Sequence, residues 1–282
     1  MIWKLTGFIA LAGLAIGAGT VQADSMKPAQ NDLLNATLWT QTSVEFKANA
    51  LASYRLAKVM LDQALADKNW TGVTEQSGAY QDKPPAVILD VDETVLDNSE
   101  YEAWLIKANT HYSSKTWGPY VDAAISKPIP GSLDFIKYAA DKGVEIFYVS
   151  NRKKPGEDGT RRNLKKFGYP INEKFDTVLL RGENDWGRKK STRRAHIAKD
   201  FRVLLVFGDN LGDFTDKTGG SPADRLKVYE EHMDRWGTSW ITISNPMYGS
   251  WEAAAFKGNW KLDGDARRQM KLDAMTYWAG PQ

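Results

Sequence analysis

Ala86-Val87-Ile88-Leu89-Asp90-Val91-Asp92-Glu93-Thr94 opens with an apolar run of strand length and breaks into acids. A run without polar alternation predicts a strand buried on both faces, as in parallel sheets. Side chains two apart on an extended segment point the same way, so Asp90 and Asp92 converge on one small volume. Two carboxylates that close repel unless a cation or a shared proton lies between them.

The pattern around this run repeats. Apolar stretches at 144–149, 177–180, 203–207 and 240–243 read as further strands. Between them, 131–142, 160–167 and 192–199 read as helices, the first two stopped by Gly143 and Gly168. Strand and helix in alternation predict an α/β fold, a Rossmann-like parallel sheet covered on both faces. Upstream, 31–67 lacks Pro and Gly and places Leu51, Tyr54, Leu61 and Leu65 at three- and four-residue steps, which predicts one or two amphipathic helices. The residues from 71 to 85 carry two Gly and two Pro and read as a loop into the sheet.

Ligands in such sheets bind at the carboxyl ends of strands. Three of those ends are polar: Asp90-Val91-Asp92-Glu93-Thr94, Ser150-Asn151-Arg152, and Gly208-Asp209-Asn210-Leu211-Gly212-Asp213. A lone Asp after a strand is a helix cap or turn residue. Three polar strand ends together point to a site, and acids unaccompanied by His or Cys suit a hard cation such as Mg²⁺.

These strings resemble known motifs. Asp90 to Thr94 matches the DxDxT signature of the haloacid dehalogenase superfamily, Ser150 looks like its second motif, and Gly208-Asp209-Asn210 with Asp213 looks like its acidic fourth. With Val149-Ser150-Asn151-Arg152 and Asn245-Pro246-Met247-Tyr248-Gly249-Ser250-Trp251-Glu252, the chain is similar to the class C bacterial acid phosphatases over roughly 31–260. The resemblance implies a haloacid dehalogenase core at 84–260, an insertion at 98–130, and a smaller, mostly helical cap and N-terminal part that includes the extension at 31–67. It also implies an exported, Mg²⁺-dependent phosphomonoesterase acting on nucleoside monophosphates, with Asp90 as nucleophile forming a phosphoaspartate and Asp92 as the acid and base. Mg²⁺ is expected on Asp90, Asp92 (through its carbonyl), Asp209 and Asp213. Ser150 and a lysine would hold the phosphoryl oxygens; Lys190 aligns best with the third motif, with Lys189 as alternative. Asn151 and Arg152 join the expected substrate contacts, and Trp117, Tyr120 and Tyr248 are candidates to stack on a nucleobase.

Composition narrows the surroundings. Lys+Arg 37 against Asp+Glu 35 leaves a net charge of +2, so no global field favours a nucleic acid polymer, and a small phosphate monoester is the expected partner. No cysteine is present, which excludes a phosphocysteine mechanism, disulfides and a lipid-accepting cysteine. Lys4, the apolar residues that follow and Val21-Gln22-Ala23 predict a signal peptide at 1–23, cleaved after Ala23. That leaves 24–282 as a periplasmic or secreted domain without a stable membrane anchor, in a sequence that allows a homo-oligomer. Broad action on small organic phosphates, phosphoryl transfer to a hydroxyl, and a non-catalytic surface binding protein on the same fold are the alternative readings.

Overall fold

The apolar run at 86–89 lies in β1 (Pro85–Leu89), the central strand of the sheet, where every residue after Pro85 is buried. After β1 the chain makes one tight turn, Val95 N and Leu96 N both donating to Val91 O, and enters a short antiparallel pair, β2 (Leu96–Asp97) with β3 (Lys127–Pro128). β4 (Glu145–Lys153) and β5 (Val178–Arg181) lie to one side of β1, and β6 (Arg202–Gly208) and β7 (Trp240–Thr242) to the other. All five strands of this sheet are parallel, in the order β5-β4-β1-β6-β7. The chain runs outward from β1 on one side, then crosses back to β6. The crevice at that reversal collects the carboxyl ends of β1, β4 and β6. The computed structural model describes residues 31–281, so the predicted leader at 1–23 lies outside them.

Helices cover both faces. α1 (Leu34–Thr42) and α2 (Val44–Ala66) divide at Ser43, whose extended backbone ends the first and whose side chain accepts from Phe46 N at 3.1 Å to cap the second. The inserted segment holds α3 (Ser99–Lys107) and α4 (Ser114–Ala123), bracketed by the β2–β3 pair. α5 (Ser132–Asp141) and α6 (Glu157–Phe167) join α2 on one face, where Tyr54 stacks on Phe207 and Phe135 packs against both. α7 (Ser191–Ala198) and the four-residue α8 (Leu211–Phe214) cover the other, around Ile88, Val149, Val206 and Trp240. Alternate residues of one strand serve alternate faces, Val87 and Leu89 one way and Ala86 and Ile88 the other. α9 (Pro222–Glu231), α10 (Ser250–Ala255) and α11 (Gly264–Asp273) complete the chain. Among the described residues, no helix is long and apolar enough to cross a membrane.

Two boundaries differ from the sequence reading. The strand expected at 144–149 runs on to Lys153, because a register shift between Ser150 and Lys153 lets Lys153 pair with Arg181. Ser150, Asn151 and Arg152 therefore occupy an irregular part of the strand, where a bulge re-aims side chains. The helix expected from 160 begins at Glu157, with Glu157 and Asp158 complementing its amino end.

Candidate active site

Each acid of the crevice is set by local backbone. Asp90 follows β1, its N–H donating to Phe207 O at 3.0 Å. Asp213 returns to the same point because Gly208 has no side chain. A Cβ there would lie 2.3 Å from the Asp213 carboxylate. Asp213 also caps α8, accepting from Asn210 N at 2.9 Å. Asp90, Asp209 and Asp213 each offer a carboxylate oxygen within 4.8 Å of the others.

One ammonium enters this cluster. Lys190, at the start of α7, places Nζ 2.5 Å from Asp90 Oδ1 and 2.6 Å from Asp213 Oδ1. Burial opposes its charge, but the two carboxylates outweigh burial and hold its pKa above the usual lysine value. Burial pushes Asp90 up to about 7 despite Lys190, with Asp213 and Asp92 adding to the rise. Asp209 is likewise driven well above the carboxylate range, by burial first and then by Asp213 and Asp90. Three acids sharing one ammonium thus favour a further cation. An all-oxygen donor set without His or Cys fits a hard divalent ion.

Asp92 is clamped from one side. Its Oδ1 accepts from Arg152 Nε at 2.9 Å and from Asn98 Nδ2 at 2.8 Å, and a terminal nitrogen of the same guanidinium pairs with it at 2.8 Å. Its Oδ2 meets only Ser150 Oγ, at 3.4 Å. Asn98 is fully buried and fixed in turn by Ser126 Oγ at 2.7 Å, which ties Asp92 to the base of the insertion. Glu93 adopts the left-handed conformation (φ 55°), and its buried carboxylate accepts from Asn98 N and Nδ2. Local bonds of this kind offset the strain of a non-glycine residue there.

The basic run at 188–194 divides by helical geometry. Arg188 and Lys189 are exposed, whereas Lys190, Arg193 and Arg194 are buried, at positions i, i+3 and i+4 of one face. Arg193 donates to Ser150 O and Asn151 Oδ1, and Arg194 to Asp213 O at 2.8 Å and to both carboxylate oxygens of Glu75. The sequence reading takes only Lys190, with Lys189 as alternative, from this run. The three-and-four spacing after Lys190 is the signal that marks the arginines as inward. Glu93 and Asn98 are missed for another reason: their contacts depend on a turn and on a residue 28 positions away, Ser126.

The expected substrate contacts separate into groups. Ser150 and exposed Asn151 stand at the crevice, while Arg152 is buried beneath it, held on Asp92, Asn98 and Thr160. Trp117 and Tyr120 stack on each other with centroids 5.5 Å apart and pack against Tyr101 in the insertion, and the Arg152 guanidinium lies 5.6 Å from the Trp117 ring. Tyr248 is half-buried in the loop after β7 and forms no ring pair with either among the described residues. Its loop is tied to the acids by Asn245, whose Nδ2 donates to Asp209 Oδ2 at 2.8 Å and whose Oδ1 accepts from Met247 N at 2.9 Å.

Comparison with known proteins places the whole fold in a family. Residues 12–251 match the family model described as HAD superfamily, subfamily IIIB (acid phosphatase). The class C acid phosphatase from Bacillus anthracis is 35% identical, with a TM-score of 0.77, over 87% of this chain and 97% of that one. A crystal structure of the class C acid phosphatase from Bacillus anthracis with tungstate bound is 36% identical over the same shares, also at a TM-score of 0.77.

Proposed function

The chain belongs to subfamily IIIB, the acid phosphatases, of the HAD superfamily and is a phosphomonoester hydrolase, and we propose that Asp90 is the nucleophile of that hydrolysis. The observation that carries this is the Asp90 carboxylate at the crevice, bridged by Lys190 to Asp213 and within reach of Asp209. The carboxylate attacks phosphorus, the ester P–O bond breaks, and an aspartyl phosphate forms. Asp92 gives a proton to the departing alkoxide and takes one from the water that then attacks the intermediate. Its Oδ2 is the oxygen for that traffic, since Oδ1 already accepts two hydrogen bonds and is ion-paired with the Arg152 guanidinium. Ser150 Oγ, Asn151 and Lys190 hold the phosphoryl oxygens as their charge shifts. Arg152 orients Asp92 from beneath.

Asp90, Asp209 and Asp213, with the Asp92 carbonyl, would hold Mg²⁺. When bound it supplies positive charge that reduces repulsion between the attacking carboxylate and the phosphate. A tungstate complex of the Bacillus anthracis enzyme supports a pocket for a tetrahedral oxyanion. We assign nucleoside monophosphates as substrates, with Tyr248 as one face of the base site and the Trp117–Tyr120 pair as the opposing rim. The leader expected from the sequence at 1–23 supports an exported enzyme, periplasmic or secreted.

A panel of nucleoside monophosphates, sugar phosphates and p-nitrophenyl phosphate, assayed with Mg²⁺ and with EDTA, tests substrate class and metal together. Rapid acid quench with radiolabelled phosphate ester should trap label on the wild-type protein and none on Asp90→Asn. Turnover that survives EDTA unchanged, or label retained by Asp90→Asn, would sink the assignment.

A further inference from the structure

Arg193 has no exposed surface. Its Nη1 donates to Ser150 O at 2.5 Å, its Nη2 donates to Asn151 Oδ1 at 2.8 Å and Gly187 O at 3.2 Å, and its buried Nε has no partner. No carboxylate among the described residues forms an ion pair with it. Arg194, next in sequence and equally deep, pairs with Glu75 at 2.7 Å and approaches Asp216 at 3.8 Å. Asp90, Glu183 and Asp213 act on it only at longer range. A buried guanidinium without a carboxylate in contact is unfavourable, and neutral donors would suffice for a purely structural tie.

What distinguishes Arg193 from its neighbour is its target. Both strong bonds go to consecutive residues, Ser150 and Asn151, at the irregular end of β4. The planar fork of an arginine sets two acceptors at once, which the point charge of a lysine does not. In a water-poor crevice, a charge one layer behind the reacting group still acts on it.

We propose that Arg193 is a positioning residue for the phosphate-holding segment, fixing Ser150 and Asn151 from below and leaving its charge for the phosphoryl dianion to balance. This rests on the reading of Asp90, Ser150 and Lys190 as the phosphoryl site. Arg193 itself touches neither substrate nor reacting atoms. The dianion enters on the far side of Ser150 and Asn151, and its charge adds to that of the more distant carboxylates.

The test compares Arg193→Met, which removes fork and charge, with Arg193→Lys, which keeps the charge alone. Melting temperature, kcat and KM for p-nitrophenyl phosphate, and the calorimetric Kd for inorganic phosphate are measured with Mg²⁺. Arg193→Met should weaken phosphate binding about tenfold or more and lower kcat/KM about 100-fold. Arg193→Lys should recover most of the phosphate affinity while kcat stays down roughly tenfold, a split that a merely structural role would not produce. Asn151→Ala should reproduce part of the kcat loss and should not add to that of Arg193→Lys, since the two share one interaction. If Arg193→Met does not fold, Arg193→Lys and Asn151→Ala carry the test. Folded variants with kcat and phosphate Kd within about threefold of wild type overturn the proposal. A wild-type protein that neither binds phosphate nor turns over the ester overturns the underlying site instead.

Discussion

Lys190 Nζ lies 2.5 Å from Asp90 Oδ1, an ion pair between residues 100 apart in sequence that fixes the amino end of α7 over the end of β1. The same Nζ is 2.6 Å from Asp213. Lys190→Met leaves three acids without their ammonium and should lower kcat/KM for p-nitrophenyl phosphate by about 10²–10³-fold. Lys190→Arg keeps the charge, but its wider planar head does not fit between the two oxygens, so it should restore little. Steady-state assays of both variants at saturating Mg²⁺ check this, and full activity in Lys190→Met would remove the residue from the site.

Asp90 and Asp92 differ in what surrounds them, and the two isosteric variants should differ accordingly. Asp90→Asn removes the proposed nucleophile and should leave no measurable turnover on any ester. Asp92→Asn keeps it and forfeits proton donation, which matters most for poor leaving groups. Its loss should be at least about tenfold smaller with p-nitrophenyl phosphate than with an alkyl phosphate. Equal losses on both esters would argue against Asp92 as the proton donor.

The parallel sheet was legible because its strands are continuous apolar runs, and the acids because they fall where such runs stop. Asp209 and Asp213 are four apart, and their convergence depends on Gly208, whose missing side chain admits the Asp213 carboxylate. The polar layer beneath was not legible. Arg193 and Arg194 carried no expectation, because a charge run is usually a solvated face, and nothing in 188–194 shows that Ser150, Asn151 and Asp213 wait above them. Asn98 opens the segment expected as an insertion, yet its role appears only when β2 and β3 bring Ser126 beside it.

Glu102 on α3 is buried and makes no side-chain hydrogen bond among the described residues, and burial together with Glu252 pushes it up to about 7. Glu252 itself pairs with Lys271 at 2.5 Å. A carboxyl group raised in the folded state contributes stability that is fully present below its ordinary pKa and is lost as pH rises through the folded value. Wild type should therefore lose melting temperature between about pH 4.5 and 7 relative to Glu102→Gln, which has no proton to release there. The difference should level off above that range. Thermal melts of both proteins across pH check it, and a difference independent of pH would mean that Glu102 does not titrate there.

Mg²⁺ should stabilise the fold, since binding to the native acids alone raises the melting temperature by mass action. Burial and neighbouring acids hold Asp209 well above the carboxylate range in the metal-free protein, so bound cation should relieve more strain at neutral than at acid pH. Asp209→Asn removes one proposed charged ligand and should shift the Mg²⁺ concentration for half-maximal stabilisation upward about tenfold or more. Melting curves against Mg²⁺, with EDTA as the zero point, measure both effects, and identical titrations for wild type and variant would exclude Asp209 from the ion's ligands.

Tyr248 joins the acids through its loop: Asn245 donates to Asp209 and accepts from Met247 N, so the residues carrying the tyrosine ring are anchored at the edge of the crevice. Trp117 and Tyr120 pack on each other and on Tyr101, and in the base site proposed above they would face Tyr248. Stacking on a base contributes about 1–3 kcal/mol by alanine substitution. Tyr248→Ala should then lower kcat/KM for AMP by roughly tenfold or more, with a much smaller loss for p-nitrophenyl phosphate. Because stacking reads a ring face rather than an edge, purine and pyrimidine monophosphates should both be accepted, purines somewhat better, and sugar phosphates poorly. Equal losses on every ester would make Tyr248 a support of the loop alone, and a wild-type preference for sugar phosphates would move the substrate class away from nucleotides.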